Sequence, residues 1–322
     1  MQAGIADPLA PIRALTDAIA ARLVGHERLV ERLAVGVLAG GHLLIEGAPG
    51  LAKTRAVKAL AAGLDSSFAR IQCTPDLMPS DMTGTQVFRP GEARFDFVPG
   101  PLFHGLVLVD EINRAPPKVQ SALLEAMAER QVTAGGVTRP LPDPFMVVAT
   151  QNSIEHEGTF PLPEAQLDRF LLHIALVLPG AEAERAILEL VEAEGRAAQD
   201  APGERLGRAA IHAAQRATDA IHLASPLKDF IVRLVVATRE TEGTPLDGLV
   251  EHAVSPRGTL ALAAASKARA ALRGRDHALP EDVEDLAADA LSHRLVPSWR
   301  ATSDGVTPRD IVTRALAHVR PW

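Results

Sequence analysis

A strand, a glycine loop and a helix follow one another without a gap near the start of this chain, and no other feature constrains its fold as much. His42 to Glu46 is an apolar run, Gly47-Ala48-Pro49-Gly50-Leu51-Ala52-Lys53-Thr54 follows, and Arg55 to Leu60 resumes at helical spacing. Further apolar runs at Phe68 to Gln72, Leu106 to Asp110, Phe145 to Thr150 and Leu172 to Leu178 alternate with helical patterns up to about Pro179. Short, near-continuous apolar strands separated by helices predict an α/β fold whose parallel sheet is covered on both faces. From Ala181 onward strand signals vanish and Ala, Leu and Arg recur at helical spacing, so residues 180–322 are expected to form an all-α domain after an α/β domain of residues 1–179. Pro179-Gly180 marks the boundary, and eight of the nine phenylalanines lie before it, between Phe68 and Phe170. Two hairpins interrupt the first half, at about 84–98 with a turn on Arg89-Pro90-Gly91-Glu92, and at about 131–140 with a turn on Gly135-Gly136. On the first hairpin Phe95 and Phe97 share a face.

The glycine loop has a chemical reading. Gly47 and Gly50 let backbone amides converge on an anion, and a helix beginning at Lys53 adds its partial positive charge. Lys53 is then placed to reach the β- and γ-phosphates of a nucleotide, and the Thr54 hydroxyl to ligate magnesium. Ala52 stands where the pattern GxxxxGK[ST] has glycine, and alanine is expected there only if φ stays negative, as on entering a helix.

Leu106-Val107-Leu108-Val109 ends in Asp110-Glu111, two carboxylates at the C-terminal edge of a buried strand, where open α/β sheets bind ligands. Asp110 is expected in the magnesium shell and Glu111 as the general base on an attacking water. Such a pair can instead cap a following helix. Asn152, after the strand that ends at Thr150, would lie beside the phosphates and orient the water. In the helical half, Ser255-Pro256-Arg257 opens a helix with Ser255 as N-cap and Pro256 at the first turn. A cation at Arg257 opposes the helix dipole unless an anion lies nearby, which favours a nucleotide-sensing arginine. Arg22, Arg28 and most other arginines lie on amphipathic helices and read as solvated faces.

Composition excludes several classes. A hydrophobic share of 47% beside 23% charged residues is that of a globular protein of about two domains. Cys73 is the only cysteine, which suits a reducing cytosol and a buried packing role. The N-terminus lacks a basic, apolar leader pattern, and the longest apolar run, Leu33 to Ile45, is broken by Gly36, Gly40, Gly41 and His42, so a cytoplasmic protein with no membrane span is expected. A net charge of −7 disfavours a nucleic-acid partner. His26, His104, His156 and His173 are too scattered for a local zinc motif.

Three stretches are more specific: Thr74-Pro75-Asp76-Leu77-Met78-Pro79-Ser80-Asp81, then Asp110-Glu111-Ile112-Asn113-Arg114-Ala115-Pro116-Pro117-Lys118, then Leu162-Pro163-Glu164-Ala165-Gln166-Leu167-Asp168-Arg169-Phe170. Together they resemble the MoxR family of AAA+ ATPases. The resemblance extends from Val24-Gly25-His26-Glu27 to Ser255-Pro256-Arg257. It implies that Gly47 to Thr54 is Walker A in the family's own variant with Ala52, Asp110-Glu111 Walker B, Asn152 sensor 1, Arg257 sensor 2 and Arg169 the arginine finger. Val24 and Gly25 join the loop residues Ala48, Pro49 and Leu51 among the expected cofactor contacts, for ATP with Mg2+. The hairpins are then a helix-2 insert and a pre-sensor-1 hairpin facing a pore, and the C-terminal half is a lid. Ser153, where the family often has proline, should loosen the turn after Asn152.

The resemblance also implies a ring, usually a hexamer, acting as a chaperone-like remodeller that assists maturation or cofactor insertion of enzyme complexes, with a partner bearing a von Willebrand factor A domain. A ring follows physically if Arg169 serves a neighbour's phosphate, because a finger acting in trans needs a head-to-tail interface that closes. Two rivals are weaker. A nucleic-acid motor would need basic hairpin tips, whereas Arg89 is offset by Glu92 and Ala134-Gly135-Gly136 is uncharged. A nucleotide-gated scaffold without turnover would not need Lys53, Asp110, Glu111 and Arg169 together.

Overall fold

The computed structural model of the chain describes residues 7–152, 158–194 and 205–321. Two helices, α1 (Ala10–Ala20) and α2 (Glu27–Leu38), lead into β1 (Leu43–Glu46), α3 (Lys53–Gly63) and β2 (Phe68–Gln72). A short α4 (Pro79–Thr83) precedes the hairpin β3 (Gly84–Arg89) and β4 (Arg94–Pro99); β5 (Leu106–Asp110) and α5 (Pro117–Glu129) follow. The second hairpin is β6 (Gln131–Ala134) and β7 (Val137–Pro140), and β8 (Met146–Gln151), the short α6 (Glu164–Leu167) and β9 (Leu172–Ala175) complete the α/β part. The C-terminal part holds α7 (Ala181–Glu194), α8 (Arg208–Asp219), α9 (Ser225–Ala237), β10 (Val250–His252), α10 (Pro256–Leu272), α11 (Pro280–Leu291), β11 (Val296–Pro297), α12 (Trp299–Ser303) and α13 (Pro308–His318).

The five-stranded sheet has the order β2-β5-β8-β1-β9, and every pairing in it is parallel. Even-numbered residues of β5 (Leu106, Leu108) join the core formed with α1, α2, α3 and the C-terminal helices, and odd-numbered ones (Val107, Val109) the core formed with α5. That split is the period-two alternation of a strand covered on both faces. It explains why β5 reads as an unbroken apolar run. Cys73 packs in the α5-side core, and burial there pushes its thiol up to about 12, with the Asp110 and Glu111 carboxylates adding to the shift.

Three expectations need correction. The C-terminal half is not free of strands, since β10 and β11 pair antiparallel through Val250 and Pro297. They are too short to carry a period. The strand expected to run to Leu178 ends at Ala175, beyond which Val177 and Leu178 are exposed, 83% and 70% respectively, with no strand among the described residues pairing them. The first hairpin turns one residue later than expected, because Phe88↔Phe95 and Arg89↔Arg94 pair and leave Pro90 to Ala93 as the turn. Arg28 is exposed, as expected, and its Nη2 also donates to both oxygens of Asp289 on α11. Ser153 and His156 lie outside the described residues.

Asp289 helps to join the two parts of the chain, beside the apolar core they share. Its carboxylate, buried inside α11, accepts from Arg28, from Arg32 Nε at 3.0 Å and from Arg309 at 2.9 Å, while Arg32, fully buried, also donates to Asp285 at 2.7 Å. Removing one partner of such a pair strands a buried charge, at a cost of roughly 3–5 kcal/mol. Helix α2, which feeds β1, is thereby fixed to the C-terminal helices.

His42, at the entry to β1, accepts the Val147 N–H on Nδ1 and contacts the Met127 carbonyl through Nε2 at 3.3 Å. Burial pushes its pKa down to about 4. The unfolded chain therefore binds a proton here below about pH 6.5 that the folded chain refuses until about pH 4. His42 is expected to remove stability as pH falls through that window, by an amount on the order of 3 kcal/mol at pH 4. Urea titrations at pH 7.5 and pH 5 test this. The wild type should lose more stability between the two than His42→Gln, and equal losses would contradict the assignment.

Candidate functional site

The site forms where β1, β5 and β8 end together. β8 lies between β5 and β1, and Glu46↔Gln151 and Val109↔Ala149 set the register that brings the loop after β1, the Asp110-Glu111 end of β5 and Asn152 to one edge. Gly47 donates its N–H to the Gln151 carbonyl at 3.3 Å. Lys53 Nζ folds back onto the carbonyls of Gly47 at 2.6 Å and Gln151 at 3.3 Å. Burial lowers the Lys53 pKa, opposed by the carboxylates of Asp110, Glu111 and Glu46.

Ala52 departs from expectation. It has φ 53° and ψ 11°, left-handed, and only Lys53 begins the helix. Gly50 is also left-handed at φ 87°. Left-handed residues within a loop turn amide groups to one side and build an anion nest, a requirement that helical entry alone does not satisfy. Alanine bears a cost of roughly 1–2 kcal/mol for that conformation. Gly47 is required for a different reason, since a Cβ there would stand 3.0 Å from the Leu176 Cβ and 3.2 Å from the Leu176 carbonyl.

At the end of β5 the two carboxylate residues are connected by Thr150 of β8: its hydroxyl donates to Asp110 Oδ1 at 3.0 Å and accepts the Glu111 N–H at 3.0 Å. Glu111 precedes a single 3-10 turn, Ile112–Arg114, and its side chain makes no capping bond to it. Its backbone is left-handed at φ 57°, and its carboxylate receives Gln72 Nε2 at 2.8 Å, with Arg114 Nη1 3.5 Å away. Strained residues that the surrounding structure holds in place cluster at functional sites. Asp110 Oδ2 accepts from Arg70 Nε at 2.6 Å, and Arg70 Nη2 donates to Gln72 at 3.3 Å. Sequence reading missed Arg70, Gln72 and Thr150. The signal available for β2 was its period: Arg70 and Gln72 share a face, and Gln72 is in register with Asp110.

The remaining candidates lie further out. Asn152 is buried immediately beyond Gln151. Gly25 is left-handed, donates its N–H to Glu27, and sits against Ala183 of α7, where an added Cβ would approach to 3.2 Å. Ser255 caps α10 as expected, accepting the Arg257 N–H at 3.2 Å. The anion that offsets Arg257 at this helix start is a protein group, because Arg257 Nη1 lies 3.5 Å from Asp168. The dipole mismatch therefore has a local answer and does not by itself require a nucleotide. Asp168 also receives Ser255 Oγ at 3.1 Å and Arg294 Nε at 2.8 Å. Arg294, another residue that sequence reading passed over, is nearly buried and further holds the Phe170 and Leu171 carbonyls. Arg169 points the other way, exposed, with Nη1 donating to the Leu124 carbonyl on α5. Within one chain Arg257 thus rests on Asp168 and Arg169 on the Leu124 carbonyl. A cleft of about 620 Å³, lined by Glu46, Gly47, His173, His293 and Arg309 among others, separates the loop from the C-terminal helices.

The donor set suits a nucleotide phosphate with a hard divalent cation. Amides and Lys53 supply positive charge, while the Thr54 hydroxyl and the Asp110 carboxylate supply oxygen, the ligand type magnesium prefers.

Comparison with known proteins agrees. Residues 42–172 match the model of the ATPase family associated with various cellular activities (AAA), and residues 247–315 match the AAA lid domain. Chaperone MoxR1 of Mycobacterium tuberculosis is 45% identical over 302 residues, covering 92% of this chain and 78% of that protein. Protein MoxR of Methylorubrum extorquens is 34% identical over 296 residues, covering 86% of this chain and 85% of its own. The 2.00 Å crystal structure of a candidate ATPase from Cytophaga hutchinsonii superposes with a TM-score of 0.88 at 38% identity, covering 97% of this chain and 95% of that one.

Proposed function

Because this chain belongs to the MoxR family of AAA+ ATPases, we propose that it hydrolyses ATP to drive the remodelling of protein complexes. The observation that carries this reading is the convergence of Lys53, Asp110 and Glu111 at one sheet edge around the Gly47 to Thr54 loop. In this reading, the loop amides and Lys53 hold the β- and γ-phosphates. Val24 and Gly25 border the base, and Thr54 and Asp110 hold Mg2+. Magnesium, when bound, neutralises charge that develops on the phosphate oxygens. Glu111 takes the proton of the attacking water and Asn152 orients that water. Arg257 and Arg169 complete the site, Arg257 after leaving Asp168 and Arg169 by reaching the phosphate held by a neighbouring subunit. A finger acting in trans requires a ring, for which six subunits are proposed.

Client work is assigned to the hairpins. Val87, Phe88, Phe95 and Val98 are exposed on the first, with Phe88 and Phe95 rings 5.1 Å apart. Its charges pair internally, Arg89 with Asp96 at 3.3 Å and Arg94 with Glu92 at 2.8 Å. An apolar surface with neutralised charge suits a protein client better than a phosphate backbone. A role in maturation or cofactor insertion, a partner with a von Willebrand factor A domain and a cytoplasmic setting are proposed on family grounds. Among the described residues no helix is long and apolar enough to cross a membrane.

The experiment is nucleotide titration of Lys53→Ala. At least a ~10-fold loss of affinity for a fluorescent ATP analogue is expected, since a charge-assisted contact contributes roughly 1.5–3 kcal/mol. Wild-type affinity in a folded variant would remove the loop from this account.

A further inference from the structure

Asp110 is almost closed to water, 5% exposed, and both of its carboxylate oxygens are engaged by protein groups. Oδ1 receives the Thr150 hydroxyl, an internal contact from the neighbouring strand β8. Oδ2 receives the Arg70 guanidinium at 2.6 Å, a charge-assisted bond at the short end of its range. Arg70 reaches it from β2, the edge strand of the sheet, and its own side chain is 45% exposed. The two partners of Asp110 therefore differ in kind. Thr150 is buried and fixed, whereas Arg70 is half exposed and can carry its own guanidinium into solvent once another cation takes its place on Oδ2. Lys53, another cation at this edge, rests on the Gly47 and Gln151 carbonyls.

On the reading that Asp110 belongs to the magnesium shell, we propose that Arg70 is a competitor of the metal built into the chain, occupying the exchangeable oxygen of Asp110 until Mg2+ arrives with the nucleotide. A guanidinium and a divalent cation, or the water that cation holds, seek the same oxygen and the same negative charge. Binding of Mg2+ then includes displacement of Arg70, and Arg70 sets how much Mg2+ the site needs. Before the metal arrives, the same residue keeps a nearly buried carboxylate from standing unpaired, which is costly in a low-dielectric setting.

The test is an equilibrium titration of the full-length chain with Mg2+ at a fixed, subsaturating concentration of a fluorescent ADP analogue. It compares the wild type, Arg70→Ala, Arg70→Lys and Asp110→Asn, and no catalysis is read. In Arg70→Ala the Mg2+ concentration at half-maximal nucleotide binding is expected to fall about tenfold, the effect of removing one charge-assisted contact. Arg70→Lys keeps the charge and should stay near the wild-type value. In EDTA, nucleotide affinity should be the same in wild type and Arg70→Ala. An unchanged or raised Mg2+ requirement in Arg70→Ala, while Asp110→Asn raises it, would overturn the competitor role and leave the metal assignment of Asp110 intact. No effect of Asp110→Asn on the Mg2+ requirement would overturn the metal assignment, and the competitor role with it.

Discussion

Glu111→Gln is expected to bind ATP as the wild type does and to hydrolyse it at least ~100-fold more slowly, within the range of roughly 10²–10⁴ that general bases contribute. The geometry makes this a test of chemistry more than of folding. Glu111 receives Gln72 on one carboxylate oxygen, and a glutamine of nearly the same shape can keep that contact through its carbonyl. Its N–H remains on Thr150, so the left-handed turn after β5 has the same support in the variant. What glutamine cannot do is accept the proton of the attacking water. Single-turnover hydrolysis beside equilibrium binding separates the two effects. Comparable single-turnover rates in variant and wild type would show that Glu111 is not the base.

Arg169→Ala is expected to lose hydrolysis by a factor on the order of 10³, the lower part of the range for arginine fingers. Within one chain its guanidinium rests on the Leu124 carbonyl of α5. The prediction is thus sharply conditional on a neighbour. If Arg169 serves the next subunit, a working site takes Glu111 from one chain and Arg169 from another. Arg169→Ala and Glu111→Gln should then each be inactive alone and partly active when mixed. At a junction where the Arg169→Ala chain holds nucleotide and the Glu111→Gln chain offers its arginine, both groups are intact. An arrangement in cis predicts no recovery, because each chain lacks one of its own groups. The measurement is steady-state ATPase activity of the mixture, with native mass spectrometry showing that mixed rings form. Mixed rings without recovered activity would rule out the trans finger. Near wild-type activity of Arg169→Ala alone would leave it a surface arginine, for which an ion pair contributes under ~1 kcal/mol.

The parallel sheet was legible because its central strands are short apolar runs with their own stop signals, and β5 begins and ends where its run does. The glycine loop between β1 and α3 was legible as a loop because its residue types are imposed locally, by backbone turns within a few positions. Predictions weakened where local signal is thin. β10 and β11 span three and two residues, too few for a period, and the exposed Val177 and Leu178 look like a strand, although no strand among the described residues pairs with them.

By itself, then, the amino-acid order determined the α/β layer, the loop, the paired acidic residues at a strand end and the helical half that follows, all features written in neighbouring positions. Only the tertiary structure decided that Ala52 is left-handed, because the loop must turn amides inward whatever residue stands there. It alone decided which cations meet which carboxylates. Arg32 and Asp289 lie 257 positions apart, Asp168 and Arg294 126 apart, and Arg70 and Asp110 40 apart on neighbouring strands. An arginine on an amphipathic helix looks the same in sequence whether it ends in water or on a buried aspartate. Its partner is set by how helices and strands pack, and packing is a property of the whole chain that no window of sequence contains.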